Sequence, residues 1–545
     1  MNGLHEFFSP IDWAVVAGYL LLTTWVGHLM RGKQASIKDF FLGGRSLPWL
    51  AVTGSIIATE ISGVTFVGVP ASVMALNGDF TYLQWAIGSI VARIFVGFFF
   101  VKVFYEKDIY SPYDYMGSRL GKGTKRLATV FFTLGSILAQ SVRVVVAALP
   151  LRVVTPLPFE WCIVVIGVFA IAWTLMGGMR TVIWTDVMQF LLFVVGGLIA
   201  LVWMVSGFDN GWDTLVSMSR SATLPDGSMI DKMRIFNFDL SAELEFTLWV
   251  ALLAVPFQNL TAFGVDQLNA QRMFCCRSAA DARKAIIFSS FGQLVTVLML
   301  LVGSALFVFY KLNPPTDPII IDGMKWQGGV PGDGNSAFPI WIVTELPTGL
   351  KGLILAGIFA AAISSLDSIL AALSQTTLSL FNHTHEDEGE DENDGHARLV
   401  KLSRILVVVW GVFLTGFAFL LYLANEKDGL KILPLAFGMT TYTVGPLLGM
   451  FLVALWGRGR GSFVGLLVGS LLSIILVIFV RTDVWQLFMN NELATWLAQL
   501  PTYRLVEGAT LSVTPTLASP WMWPITTLLT AGLGLLGHRK ILQKN

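Results

Sequence analysis

Long apolar runs separated by short polar connectors set the pattern of this chain. Runs of about twenty residues, each long enough to cross a bilayer as a helix, recur near residues 11–30, 48–75, 81–104, 124–150, 158–176, 180–206, 243–271, 284–310, 350–381, 401–424, 430–456, 461–480 and 517–537. They predict about thirteen transmembrane helices, because a backbone in hydrocarbon must satisfy its own N–H and C=O groups. Two of these runs depart from the pattern. In Pro48–Ala75 the centre carries Thr59, Glu60, Ser62, Gly63, Thr65, Gly68 and Pro70, where a lipid-facing helix would carry Leu and Val. A helix broken at that depth lines a cavity or a ligand, offering carbonyls to a cation or N–H groups to an anion. The competing reading is a Pro-kinked packing helix whose Ser and Thr serve as interhelical glue. Glu60 favours a binding site, since an ionisable residue at mid-membrane is functional by default.

The second departure is Leu244–Gln271, interrupted by Pro256, Gln258, Asn259, Thr261 and Gly264. If spans two to six form one five-helix unit, this interruption opens the next, and an odd number of spans gives the two units opposite topology. Broken first helices in two inverted repeats point to a transporter's midplane site. The chain then divides into an extra helix and loop (1–47), a first repeat (48–206), a loop (207–242), a second repeat (243–456) and C-terminal extra helices (457–545).

Composition agrees with the pattern. At 54% hydrophobic and 13% charged over 545 residues, the chain is an all-α polytopic membrane protein rather than a soluble fold. A net charge of zero argues against a nucleic-acid partner, and the apolar composition makes the lipid bilayer the surroundings. Cys162, Cys275 and Cys276 suit neither a disulfide framework nor a metal site. The six histidines fall in loops or at span ends, so no His is placed for acid–base chemistry inside the membrane and no enzyme is expected. The N-terminus lacks the basic region of a cleaved signal peptide, so the first span is read as retained.

Lys and Arg in short loops set orientation. Arg31, Lys33, Lys38, Arg45; Arg119, Lys122, Lys125, Arg126; Arg272, Arg277, Arg283, Lys284; Arg458, Arg460; and Arg539, Lys540, Lys544 all fall on one side if the spans alternate. That side is the cytoplasm, with the N-terminus outside and the C-terminus inside a plasma or bacterial inner membrane. The opposite loops, 207–242, 311–349 and 481–516, read as an extracytoplasmic cap. The acidic block His383–His396 reads as a solvated cytoplasmic linker.

Three stretches resemble the sodium/solute symporter family: GGMRTVIWTDVMQF at Gly177–Phe190, FGVDQLNAQR at Phe263–Arg272 and AAAISSLDSILAALS at Ala360–Ser374. The resemblance, similar to bacterial sodium/galactose and sodium/sialic acid symporters, implies the leucine-transporter fold and import of a solute coupled to Na⁺ by alternating access. A small polar solute, a sugar or sugar derivative, is the first expectation. An organic anion such as sialic acid or a monocarboxylate is the second. An ion channel is disfavoured because paired broken helices suit an occluded site better than a continuous pore.

On its own helix, Ala361, Ser364 and Ser365 share one oxygen-rich arc at about 100° per residue, which suits a hard cation. The resemblance pairs this face with carbonyls of Ala58 and Ile61 and adds the carbonyl of Ala361. It implies a second sodium site from Asp186 and the serines of the same helix, here with Asp367 and Ser368. Asp367 replaces a serine of the family; the extra carboxylate could strengthen the site, pair with a basic residue or take a proton. For the solute, the resemblance points to Glu60, Thr65, Phe80, Gln84, Arg143, Asn259 and Phe263. Glu60 stands where the family has a neutral residue and could neutralise Arg143, a position otherwise suited to a carboxylate. Arg93, inside the third span, requires a partner.

Overall fold

The computed structural model describes all residues except 1–2, 31, 33–41, 108, 110, 176–178, 225–226, 328–329, 332–333, 382–391, 426–431, 458–459, 482–484, 486–490, 507–511 and 537–545. Among the described residues nine helices are long and apolar enough to cross a membrane, ten with the bent pair Trp49–Glu60 and Val64–Met74. Phe159–Thr174 and Val444–Trp456 are shorter apolar helices, and the last helix, Met522–Leu536, has fifteen residues. Among the described residues each of the thirteen apolar runs therefore contains helix, but not all are full-length spans.

The chain forms two compact units, each assembled from segments of both halves. The first comprises Met1–Leu83, Gln140–Ile235 and Gln271–Ala436. At its centre runs Leu350–Phe381, buried over nearly its whole length, because its Gly, Ala and Ser residues let neighbouring backbones approach closely. Pro10–Met30, Trp49–Glu60, Phe159–Thr174, Met179–Ser206 and Glu392–Asn425 pack against it. The second half of the bent pair packs on Gln293–Leu312. There Gly303 permits the close approach: a Cβ would lie 2.8 Å from the backbone of Pro70.

Loop residues clamp the end of that bent pair. The ammonium of Lys232, fully buried, donates to the carbonyls of Val73 and Ala75 at 2.8 Å and of Gly78 at 3.2 Å. It also sits 4.7 Å from the centre of the Phe307 ring. Burial pushes its pKa down to about 8, against the opposing charge of Asp79. Arg234 pairs with Asp79 at 2.7 Å.

The second unit comprises Gln84–Ala139, Phe236–Ala270 and Phe437–Asn545. Val444–Trp456 and Phe463–Val480 flank Met522–Leu536, while Trp85–Phe95 packs on Leu248–Leu253 and Val255–Leu260. Its buried Arg93 finds its partner in the Phe263 ring, 4.1 Å from guanidinium to centroid, a cation–π contact that offsets part of the burial cost.

Several expectations need correction. Residues 334–345, part of the loop 311–349 expected in an extracytoplasmic cap, form the helix Gly334–Glu345 with Ser336–Val343 buried. Its run AFPIWIV is apolar enough to join the core, and Phe338 stacks on Phe66 at 4.8 Å. The run 430–456 is two helices, Ile432–Thr440 and Val444–Trp456. Most of the acidic block lies outside the described residues; from Glu392 the chain is helical, into Glu392–Asn425. Of the orienting cations, Arg31, Lys33, Lys38, Arg458, Arg539, Lys540 and Lys544 lie outside the described residues. Arg272 is not a loop cation at all: it is fully buried.

Candidate functional site

The break in the first bent helix is a specific backbone event. Ile61 leaves the helical region (φ −79°, ψ 109°) after donating its N–H to the Ile57 carbonyl. The carbonyls from Ala58 onward are thereby left without an intrahelical donor. Arg143 takes one of them, its Nη1 donating to the Thr59 carbonyl at 2.9 Å. Beyond the break, the Ser62 carbonyl accepts from Thr65 and Phe66, starting the wide turn Val64–Gly68. The sequence placed this interruption correctly. In the second interrupted run the extended residue is Asp266 (φ −70°, ψ 128°), two residues past Gly264.

At Ser55, on the first half of the bent pair, a buried polar cluster is assembled from four helices of one unit. Ser55 donates to Asp186 Oδ2 at 2.5 Å, and Ser364 donates to Asp186 Oδ1. Arg272 donates to Asp186 Oδ2 at 3.1 Å, to Ser55 at 3.0 Å and to Ser368 at 2.6 Å. Ser368 in turn donates to Asp367 at 3.0 Å. All six side chains are buried. The cluster holds two carboxylates against one guanidinium, so with both aspartates ionised a cation is needed to balance it. Ser365, fully buried, lies beside it on the same helix, as does Ala361, while Ala58 and Ile61 belong to the bent pair whose first half, with Ser55, touches that cluster. The structure thus brings Asp186, Ser364, Asp367 and Ser368 into one network and adds Ser55 and Arg272, which sequence reasoning missed. Ser55 lies one turn before Thr59, a signal available in the sequence; Arg272 gave none, because a cation near a span end reads as an orienting charge.

The solute candidates fall into two groups. In the first unit, Glu60 accepts from Gln293 Nε2 at 3.0 Å, a partner the sequence did not suggest. Thr65 is half-buried in the wide turn, Phe80 is buried, and half-buried Arg143 caps the break as described. In the second unit, Asn259 accepts from Ser89 at 2.9 Å and donates to Gln258 and to the Val255 carbonyl. Phe263 underlies Arg93. Gln84 is occupied at both ends of its amide, donating to the Phe246 carbonyl at 3.3 Å and accepting from the Asn237 N–H at 3.1 Å. Its observed task is to staple a loop.

Comparison with known proteins adds independent findings. The model of the sodium:solute symporter family matches residues 40–469. The chain is 30% identical over 420 residues to a sodium/glucose cotransporter of Vibrio parahaemolyticus, covering 75% of each chain. It is 28% identical to a sodium/sialic acid symporter of Proteus mirabilis, over 88% of this chain and 90% of that one. Sodium-coupled monocarboxylate transporter 2 of Bos taurus is 26% identical over 86% of this chain and 72% of its own. The solved structure of a Na⁺-coupled sialic acid symporter superposes with a TM-score of 0.75 at 24% identity, covering 97% of both chains, which makes the fold that of the leucine transporter.

Proposed function

The chain belongs to the sodium:solute symporter family, and from that premise we propose that it imports a neutral, hydroxylated solute, a sugar or sugar derivative, together with Na⁺. Membership makes it a multi-pass, sodium-coupled transporter; the solute, its ligands and the orientation are the reading offered here. The observation that carries the solute class is the bond from Arg143 to the Thr59 carbonyl. An Arg committed to the freed backbone of the break serves the helix rather than a substrate carboxylate, while Glu60, Gln293 and Thr65 supply acceptors and donors suited to hydroxyls. The half-buried position of Arg143 favours the second reading, an organic anion of the kind the sialic acid and monocarboxylate relatives carry.

Coupling follows from the order of ligands along one stretch of backbone. Ala58 and Ile61 offer carbonyls to Na⁺, together with Ala361, Ser364 and Ser365, while Glu60 and Thr65 flank the same break and reach the solute. Sodium bound there fixes the break, so it fixes the solute side chains; by linkage the solute tightens sodium equally. Asp186, Asp367 and Ser368 form the second cation site, where added positive charge balances the excess carboxylate. The protein is a carrier that releases its solute chemically unchanged, with its N-terminus outside and its C-terminus cytoplasmic. Thermal stabilisation of the purified protein by sugars, sugar acids and monocarboxylates, with and without Na⁺, tests it. Sodium-dependent stabilisation by neutral sugars supports the proposal; stabilisation by carboxylates alone replaces it with the organic-anion reading.

A further inference from the structure

The loop that precedes the second interrupted helix carries an apolar edge that the transport reading does not use. Residues 236–241, FNFDLS, alternate apolar and polar, the period of an extended segment with two faces. The polar face is fully engaged: Asn237 N–H bonds to Gln84, the Asn237 side chain accepts from Asp239 N–H at 3.1 Å, and Asp239 accepts from Ser241 N–H at 2.8 Å. The Asn237 carbonyl accepts from Leu248 N–H at 2.8 Å. The segment is therefore held in place by its backbone, and its apolar side chains are left outward. Phe236, Phe238 and Leu240 are 50%, 63% and 80% exposed, the two rings stacked 6.0 Å apart.

What covers this edge follows from its attachment. The indole of Trp249 donates to the Phe238 carbonyl at 3.2 Å, and Trp249 opens the Leu248–Leu253 helix, whose Leu252 and Leu253 are exposed. In a membrane span, such an exposed apolar face meets lipid, and a Trp at its end marks the bilayer interface. The Trp249–Phe238 bond attaches the apolar edge to the helix at that interfacial end. We infer that Phe236, Phe238 and Leu240 insert into the interfacial layer of the bilayer, anchoring the start of the second interrupted helix. Asp239 is the one charge in residues 236–241, so apolar burial and not attraction to anionic headgroups drives the insertion.

Single cysteines at Phe238→Cys, Leu240→Cys and Asp239→Cys, in the full chain reconstituted in phosphatidylcholine nanodiscs, test this. The native cysteines are buried, and the unsubstituted protein gives the labelling background. An environment-sensitive fluorophore at the first two positions should be quenched about twofold or more by lipids bearing a nitroxide high on the acyl chain, and little by iodide, with the reverse at Asp239→Cys. Before labelling, the Leu240→Cys thiol should react with a charged maleimide about tenfold more slowly than the Asp239→Cys thiol. Equal rates and equal iodide quenching at all three positions would overturn the inference. So would protection that appears only at two or more copies per disc, which would assign the edge to a second copy of the chain.

Discussion

The guanidinium of Arg272 lies 3.1 Å from the carboxylate of Asp186, and neither side chain has exposed surface. Eighty-six residues separate them in the chain, and the pair ties the segment after the second break to the helix Met179–Ser206. Breaking one partner of such a pair strands a charge, at a cost of roughly 3 kcal/mol or more. Arg272→Gln should therefore lower the melting temperature of the purified protein markedly, and Arg272→Gln with Asp186→Asn should recover part of the loss. A double variant no more stable than Arg272→Gln alone would show that the two groups are not coupled.

Asp186→Asn probes the second cation site separately. With both aspartates ionised in the parent, removing one carboxylate removes the cluster's excess negative charge, so the Hill coefficient of sodium-dependent uptake should fall toward that of a single site. An unchanged coefficient in a folded variant removes Asp186 from the sodium ligands.

Ser365→Ala tests the first site. Loss of one hydroxyl ligand is worth about 1 kcal/mol, which raises the half-saturating Na⁺ concentration severalfold while leaving the fold intact, since the change removes one buried oxygen and no packing volume of consequence. Sodium titration of uptake or of thermal stabilisation reads the effect directly.

Arg143→Gln separates the two solute readings. The substitution removes a charged donor from the Thr59 carbonyl, a loss of roughly 1.5–3 kcal/mol. On the sugar reading the loss appears as lower stability and lower transport of every solute alike. On the organic-anion reading it appears as tens-fold weaker binding of carboxylates with neutral solutes little affected, a pattern that calorimetry with paired ligands distinguishes.

Lys232 gives a pH dependence with a defined sign. Its pKa is about 8 in the folded chain against an ordinary 10.5, so between those values the unfolded chain binds more protons. Its contribution to stability is then level below pH 8 and rises with pH through the window, by up to roughly 1.4 kcal/mol per pH unit. The stability of the parent protein relative to Lys232→Met should rise from pH 8 to pH 10 in denaturant titrations; a constant difference would place the titration elsewhere.

What was legible in the sequence follows the range of the interactions. The first break was readable because Ser62, Gly63 and Pro70 act on their own backbone. The clustering of Ser364, Asp367 and Ser368 was readable because helical spacing is local. Arg272 and Gln293 were not, because each meets its partner across more than eighty residues and charge or amide type alone does not reveal which way a side chain turns. Gln84 is a further case: its amide donates to one loop carbonyl and accepts from one loop N–H, a pairing that its position in the sequence does not reveal. The helix Gly334–Glu345 was hidden by the Gly-, Pro- and Asp-rich residues that flank it.

The bent pair has a further consequence at the level of heredity. Ala58 and Ile61 present main-chain oxygens at the break, and no codon change can delete a carbonyl. The side chain at Glu60, between them, and that at Thr65, just beyond them, are free to vary under selection. With Na⁺ held by these carbonyls as proposed, a gene built this way can drift in what it carries while its dependence on the ion is passed on with the backbone.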